Sequence, residues 1–222
     1  HIKNYINESP VHERRIWEDS ILDLLLDDKL ANPSYKPTAK IGAVRTLLTY
    51  NSRISFSTYL KCLCPEDIMS NFTRNLPLEI TSTCIKIVNQ YIQTKHIDIT
   101  VPQAIDRIIF YLEKNVPEII RKCELNDTGL AAALCYYAVF TKSPIPENIA
   151  ITGGLDSQGR TLPVDSLDGK IETVLRELHF IDRIIIPKGS LFNVYIPENV
   201  KIIEVSNLEQ TIDIVFKNDF TI

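Results

Sequence analysis

At 222 residues, 45% hydrophobic and 23% charged, the chain has the composition of one sizeable globular domain with room for an appended arm, and is too short for two full enzymes in tandem. Its 24 Lys+Arg stand against 28 Asp+Glu, a net charge of -4, so no basic excess exists to neutralise a phosphate backbone and direct nucleic-acid binding is not expected. Five cysteines (Cys62, Cys64, Cys84, Cys123 and Cys135) lack the spacing of a secreted disulfide framework, which points to a reducing, cytoplasmic setting.

No stretch reaches the roughly 18 apolar residues of a membrane span, and no signal region opens the chain. Its first residue is His1 rather than Met, so a larger parent protein is expected. The four histidines never stand beside a cysteine pair, so neither a metal nor another cofactor is expected.

In chain order, Ser9 to Leu30 sets Val11, Ile16, Trp17, Ile21, Leu24, Leu25 and Leu30 at three- and four-residue spacings among charged residues, which predicts an amphipathic helix. The polar, Pro-bearing stretch from Asn32 to Thr38 reads as a linker. Residues 1–38 thus form an arm and residues 39–222 the main domain. Ile41 to Tyr50 and Ile54 to Leu63, β-rich runs on either side of Asn51-Ser52-Arg53, predict an antiparallel hairpin. Leu76 to Lys95 carries a helical stripe, and Ile97 to Val101 alternates as a short strand.

From Pro102 to Cys123 two readings compete. Ile105, Ile108, Ile109, Leu112 and Val116 fit a helix, which is preferred, while Arg107 to Leu112 equally fits a buried strand. Leu130 to Phe140 is an apolar run whose alanines favour a buried helix. The last third alternates: strand Ile149 to Thr152, the break Gly153-Gly154, strand Thr161 to Val164, helix Leu167 to Leu178, strands Arg183 to Pro187 and Lys201 to Val205, and helix Leu208 to Phe216. The class is α/β (α+β), with a mixed sheet and packed helices.

Several short motifs follow one another across the last two of these blocks. Thr152, Gly153, Gly159, Pro163, Val164, Leu167 and Lys170 stand in one ungapped register, followed by Ile184-Ile185-Ile186-Pro187 and Ile196-Pro197-Glu198-Asn199-Val200. This series resembles the proteolytic domain of the Lon protease family. The resemblance implies the Lon proteolytic fold and a Ser-Lys dyad, in which the serine attacks the scissile carbonyl and a lysine of lowered pKa takes its proton. It places the lysine at Lys170 and a supporting residue at Thr152. Counted back from Thr152 without gaps, the serine of the family's D-G-P-S-A-G falls on Asp127, within Glu124-Leu125-Asn126-Asp127-Thr128-Gly129, where only Gly129 matches.

A carboxylate cannot form the acyl ester a serine forms, and beside Lys170 it would keep the amine charged, the opposite of what a general base needs. By residue type, Asp127 reads as the N-cap of the apolar helix, and Asp165 or Ser166 as the cap that puts Lys170 in an opening helical turn. His179 reads as a C-terminal cap partner, and Asp156, Asp165 and Asp168 as turn and cap residues. Two hydroxyls are alternative nucleophiles. Thr128 is one residue along, a step that rotates a helical side chain by about 100° away from Lys170, and Ser166 lies one turn before it. With no P-loop, H-E-x-x-H or C-x-x-C present, any ATPase lies outside this chain.

The expectation is a Lon-type domain without peptidase activity, used for self-association or for docking to an attached or partner ATPase module. The alternative is a working endopeptidase that cleaves protein or peptide substrates with Lys170 and a displaced nucleophile. A third reading is a module that binds a ligand in the emptied cleft.

Overall fold

The computed structural model describes residues 38–63, 76–99, 108–113 and 121–217. The predicted helix Ser9 to Leu30 lies outside the described residues, and with it nearly all of the arm. Strand β1 (Ala39–Lys40) leads into β2 (Ala43–Tyr50) and β3 (Ile54–Leu63), followed by α1 (Leu78–Thr94) and β4 (Ile109–Leu112). A 3-10 turn (Leu125–Thr128) runs directly into α2 (Gly129–Thr141). Then come β5 (Ile145–Pro146), β6 (Ile149–Ile151), β7 (Gly154–Leu155), β8 (Thr161–Leu162), α3 (Leu167–Glu177), β9 (Arg183–Pro187), β10 (Lys201–Val205) and α4 (Leu208–Ile212), which continues as a π-helical turn (Asp213–Lys217).

Six strands form one mixed sheet in the order β10-β9-β6-β2-β3-β4. From β10 through β9 and β6 to β2 the pairing is parallel, and the predicted hairpin β2–β3 is antiparallel, with Ala43 opposite Lys61 and Tyr50 opposite Ile54. Both faces are covered, and the alternation of strand side chains sorts them into two cores. Val44, Leu48, Leu60, Ile149, Ile151 and Ile185 pack with α1, α2 and α4, whereas Leu47, Ala150, Ile184 and Ile186 pack with Leu167, Ile171 and Val174 of α3. Helix α2 is buried from Gly129 to Ala138, which explains why its sequence shows no polar face.

Two expectations are corrected. Pro102 to Cys123 is not one helix: Ile109–Leu112 is an edge strand antiparallel to β3, with Ile109 opposite Leu63 and Leu112 opposite Leu60. Ile108, Phe110 and Leu112 are buried and the residues between them half-buried, so the period is two. The expected strand from Ile97 is also not formed over its described residues, Ile97 to Ile99. There His96 takes φ 52°, and the Ile97 N–H donates back to the Ile92 carbonyl at 3.1 Å, so the segment serves as the exit from α1.

Where the described chain enters the domain, one buried carboxylate gathers several donors. Glu147, 4% exposed, accepts from the Thr38 N–H (2.9 Å), the Thr38 hydroxyl (3.2 Å), Lys40 Nζ (2.7 Å) and the Tyr59 hydroxyl. The Glu147 N–H returns a bond to the Thr38 carbonyl at 2.8 Å. Lys40 and Arg45 both lie over the Tyr59 ring, at 4.3 and 4.2 Å from its centroid. Burial pushes the Tyr59 phenol well above its usual range, with Arg45 opposing.

Candidate active-site corner

The 3-10 turn before α2, the end of β6 and the first turn of α3 meet at one corner. The Gly153 N–H donates to the Asp127 carbonyl (2.8 Å), and the Leu130 N–H donates to the Gly153 carbonyl (2.9 Å), so the turn is clamped onto the residues that follow β6. Gly129 makes that approach possible: a Cβ there would stand 2.9 Å from the Leu155 backbone nitrogen. The Thr152 N–H donates to the Ile185 carbonyl at 3.1 Å, which ties the corner to β9.

Lys170 is wholly buried in the opening turn of α3. Its Nζ donates to Asp127 Oδ2 and, at 3.0 Å, to the Asp165 carbonyl. Burial pushes the Asp127 carboxyl above its usual range. Lys170 pulls the other way, and Glu124 and Asp165 add like charge. The two side chains, both withdrawn from water, hold each other in place.

The other singled-out residues fall as follows. Asp127 is not an N-cap: Thr128 occupies that position of α2 without a side-chain cap bond, and the Asp127 carboxylate turns to Lys170 instead. The Thr128 hydroxyl donates to the Leu125 carbonyl at 2.6 Å. Ser166 stands at the N-cap position of α3 in a left-handed conformation, φ 53°, with no side-chain cap bond, and Asp165 contributes its carbonyl rather than its carboxylate. Thr152 reaches the corner through its backbone, but its buried hydroxyl has no hydrogen-bond partner among the described residues.

His179 is exposed, and α3 ends at Leu178, whose N–H donates to the Val174 carbonyl at 2.9 Å. Asp168 accepts the Asn193 N–H at 2.8 Å. Asp156 accepts the N–H groups of Gln158 and Arg160, both at 2.9 Å.

Residue-by-residue reading of the sequence passed over Glu124. Its N–H donates to the Thr49 carbonyl (3.2 Å), one carboxylate oxygen accepts from the Ser52 hydroxyl (2.7 Å), and the other is buried without a partner among the described residues. Only its place three residues before Asp127 could have drawn attention to it.

A mixed sheet with a buried lysine opening one helix and an acidic turn opening another defines an α/β domain that brings Asp127 and Lys170 together at one corner. The Lon protease (S16) C-terminal proteolytic domain matches residues 80–220, more than half of the chain, and the chain belongs to this family. Strands β2 and β3 precede the matched residues but share the same sheet. The chain is similar to the archaeal Lon protease of Methanocaldococcus jannaschii, with 32% identity over 98 residues, covering 44% of this chain and 15% of the relative. It is similar also to the Lon proteases of Rhizobium meliloti (29% over 140 residues, 60% of this chain and 17% of the relative) and Azorhizobium caulinodans (27% over 140 residues, 60% and 16%). The matched region therefore spans less than a fifth of each of these relatives' length.

Among the described residues, no helix is long and apolar enough to cross a membrane.

Proposed function

We propose that this chain is a Lon-type proteolytic-fold domain that has given up the peptidase reaction and serves as an assembly or partner-binding domain of a larger, ATPase-bearing protein of the cytoplasm. The observation that carries the reading is the buried pair between Asp127 and Lys170. A general base must be free to take a proton from a nucleophile, and here the Lys170 amine is already engaged by the Asp127 carboxylate and the Asp165 carbonyl. In this reading Asp127 stands in for the dyad serine, and Thr152 keeps the supporting position, its hydroxyl without a partner among the described residues. The Thr128 and Ser166 hydroxyls are not bonded to Lys170, which weakens the alternative of a displaced nucleophile.

Fluorophosphonate labelling followed by intact-mass measurement tests the proposal. The expected result is no adduct on the unaltered chain. An adduct that disappears in Lys170→Ala would establish the endopeptidase instead, and the mapped residue would identify its nucleophile.

A further inference from the structure

A second feature lies in the connection from β9 to β10. Over residues 191–196 exposure alternates: Leu191, Asn193 and Tyr195 are exposed, while Phe192, Val194 and Ile196 are half-buried and pack against the core on the α3 face of the sheet. A period of two is that of an extended strand, yet among the described residues this segment joins no sheet. Gly189, at φ 77°, turns the chain before it, and Pro197 stands at its end.

The backbone of this segment is almost unused. The Asn193 N–H donates to Asp168 Oδ1 at 2.8 Å, and no other backbone group of residues 191–196 has a partner among the described residues. In an extended chain the backbone groups of neighbouring residues point to opposite edges. The Asn193 edge is therefore closed by α3, and the N–H and carbonyl groups of Phe192 and Val194 stand along the other. Such groups are satisfied by water or by another strand. Nothing blunts this edge, since residues 191–196 contain neither a charge nor a proline. Two large apolar side chains also face outward from it, Leu191 at 94% exposure and Tyr195 at 83%.

We infer that this segment joins two copies of the chain, antiparallel about a two-fold axis at Asn193. The sequence around that point is self-complementary. Phe192 falls opposite the partner's Val194, and each such pair exchanges two N–H to carbonyl bonds, four in all. Leu191 falls opposite the partner's Tyr195 on the outer face, an aliphatic–aromatic cross-strand pair that the symmetry makes twice. Lys188 and Glu198, the first charged residues on either side, are exposed and in no ion pair among the described residues, and they too fall at facing ends. Glu204, which accepts the Gly189 N–H at 3.0 Å, sits beside Lys188 and tempers that attraction, so charge permits the pairing while the backbone edge and the apolar pairs drive it. Because α3 closes the other edge, one partner completes the pairing and a closed dimer results rather than a filament. The inference rests on the assembly reading above and names the surface and the partner.

The test combines sedimentation of the full chain over a concentration series reaching about 100 μM with diamide cross-linking of Asn193→Cys. On the axis the two residues 193 form a pair without mutual hydrogen bonds, whose Cα atoms approach to about 4.5 Å, within reach of a disulfide. Asn193→Cys is expected to give a covalent dimer, and His179→Cys, an exposed site beyond the far end of α3, is expected to give none. Leu191→Glu combined with Tyr195→Glu should weaken dimerisation about tenfold, with an unchanged circular dichroism spectrum because both positions are exposed. Leu191→Glu combined with Tyr195→Lys sets opposite charges across the pair and should recover most of that loss. A monomer throughout the series, equal cross-linking at positions 193 and 179, or a dimer untouched by the double glutamate variant would overturn the inference. So would open-ended association, which a single shared edge does not give. A fluorophosphonate adduct would overturn the loss of peptidase activity but leave the cross-link at position 193 intact, so the two failures are distinguishable.

Discussion

Removing the carboxylate from Asp127 leaves the Lys170 charge buried with only a carbonyl for company. Asp127→Ala should therefore destabilise the domain by about 3–5 kcal/mol, measured by urea denaturation. Removing both charges, in Asp127→Leu with Lys170→Met, should cost clearly less than the sum of the single changes, because no lone ion remains. Additive costs would mean that the pair does not couple. Asp156 has the opposite electrostatic situation. Desolvation pushes its carboxyl up, but the N–H groups of Arg160 and Gln158 and the Arg160 guanidinium hold it below the usual carboxylate range. An acid with a depressed pKa in the folded state stabilises above its unfolded pKa and loses that contribution as pH falls through the folded value. Asp156→Asn should thus melt lower than the parent chain near neutral pH, and the two thermal midpoints should converge in strong acid. A gap that persists unchanged into acid would show that the bonds do not depend on the charge.

Strand β4 is the element where pattern reading and structure part. Ile108, Phe110 and Leu112 are buried at a spacing of two, yet Ile105, Ile108, Ile109 and Leu112 also satisfy a spacing of three and four. A run this short fits both periods, and only pairing with β3, a contact distant in sequence, decides between them. Phe110, fully buried with its ring 6.5 Å from that of Tyr136, anchors the strand. Phe110→Ala should cost about 3–5 kcal/mol in a denaturation experiment, and a loss below about 1 kcal/mol, the scale of an exposed site, would contradict the strand's place in the core. The hairpin, α2, α3, β9 and β10 were legible because turn residues, an all-apolar run or strict alternation left one period standing. The meeting of Asp127 with Lys170 was legible too, though only through motif spacing and not through any periodicity. The contacts of Glu124 with Thr49 and Ser52 were not, since they depend on which segments of the chain come to lie side by side.

At the scale of the molecule, the six-stranded sheet carries a core on each face, so the Asp127–Lys170 corner rests on α2 from one core and α3 from the other. Ion-pair geometry there reports how well the two faces are seated on the sheet. The knot at Glu147 has a mechanical meaning for the same architecture. Strand β1 pairs antiparallel with β5, Ala39 opposite Pro146 and Lys40 opposite Ile145, and the chain that enters at Thr38 is gripped by a carboxylate that also holds Lys40 and Tyr59, so tension there does not simply peel β1 away from β5. It is transmitted through Glu147 and the Tyr59 hydroxyl into the central hairpin β2–β3, which makes that carboxylate the point where a pull from upstream becomes a load on the sheet.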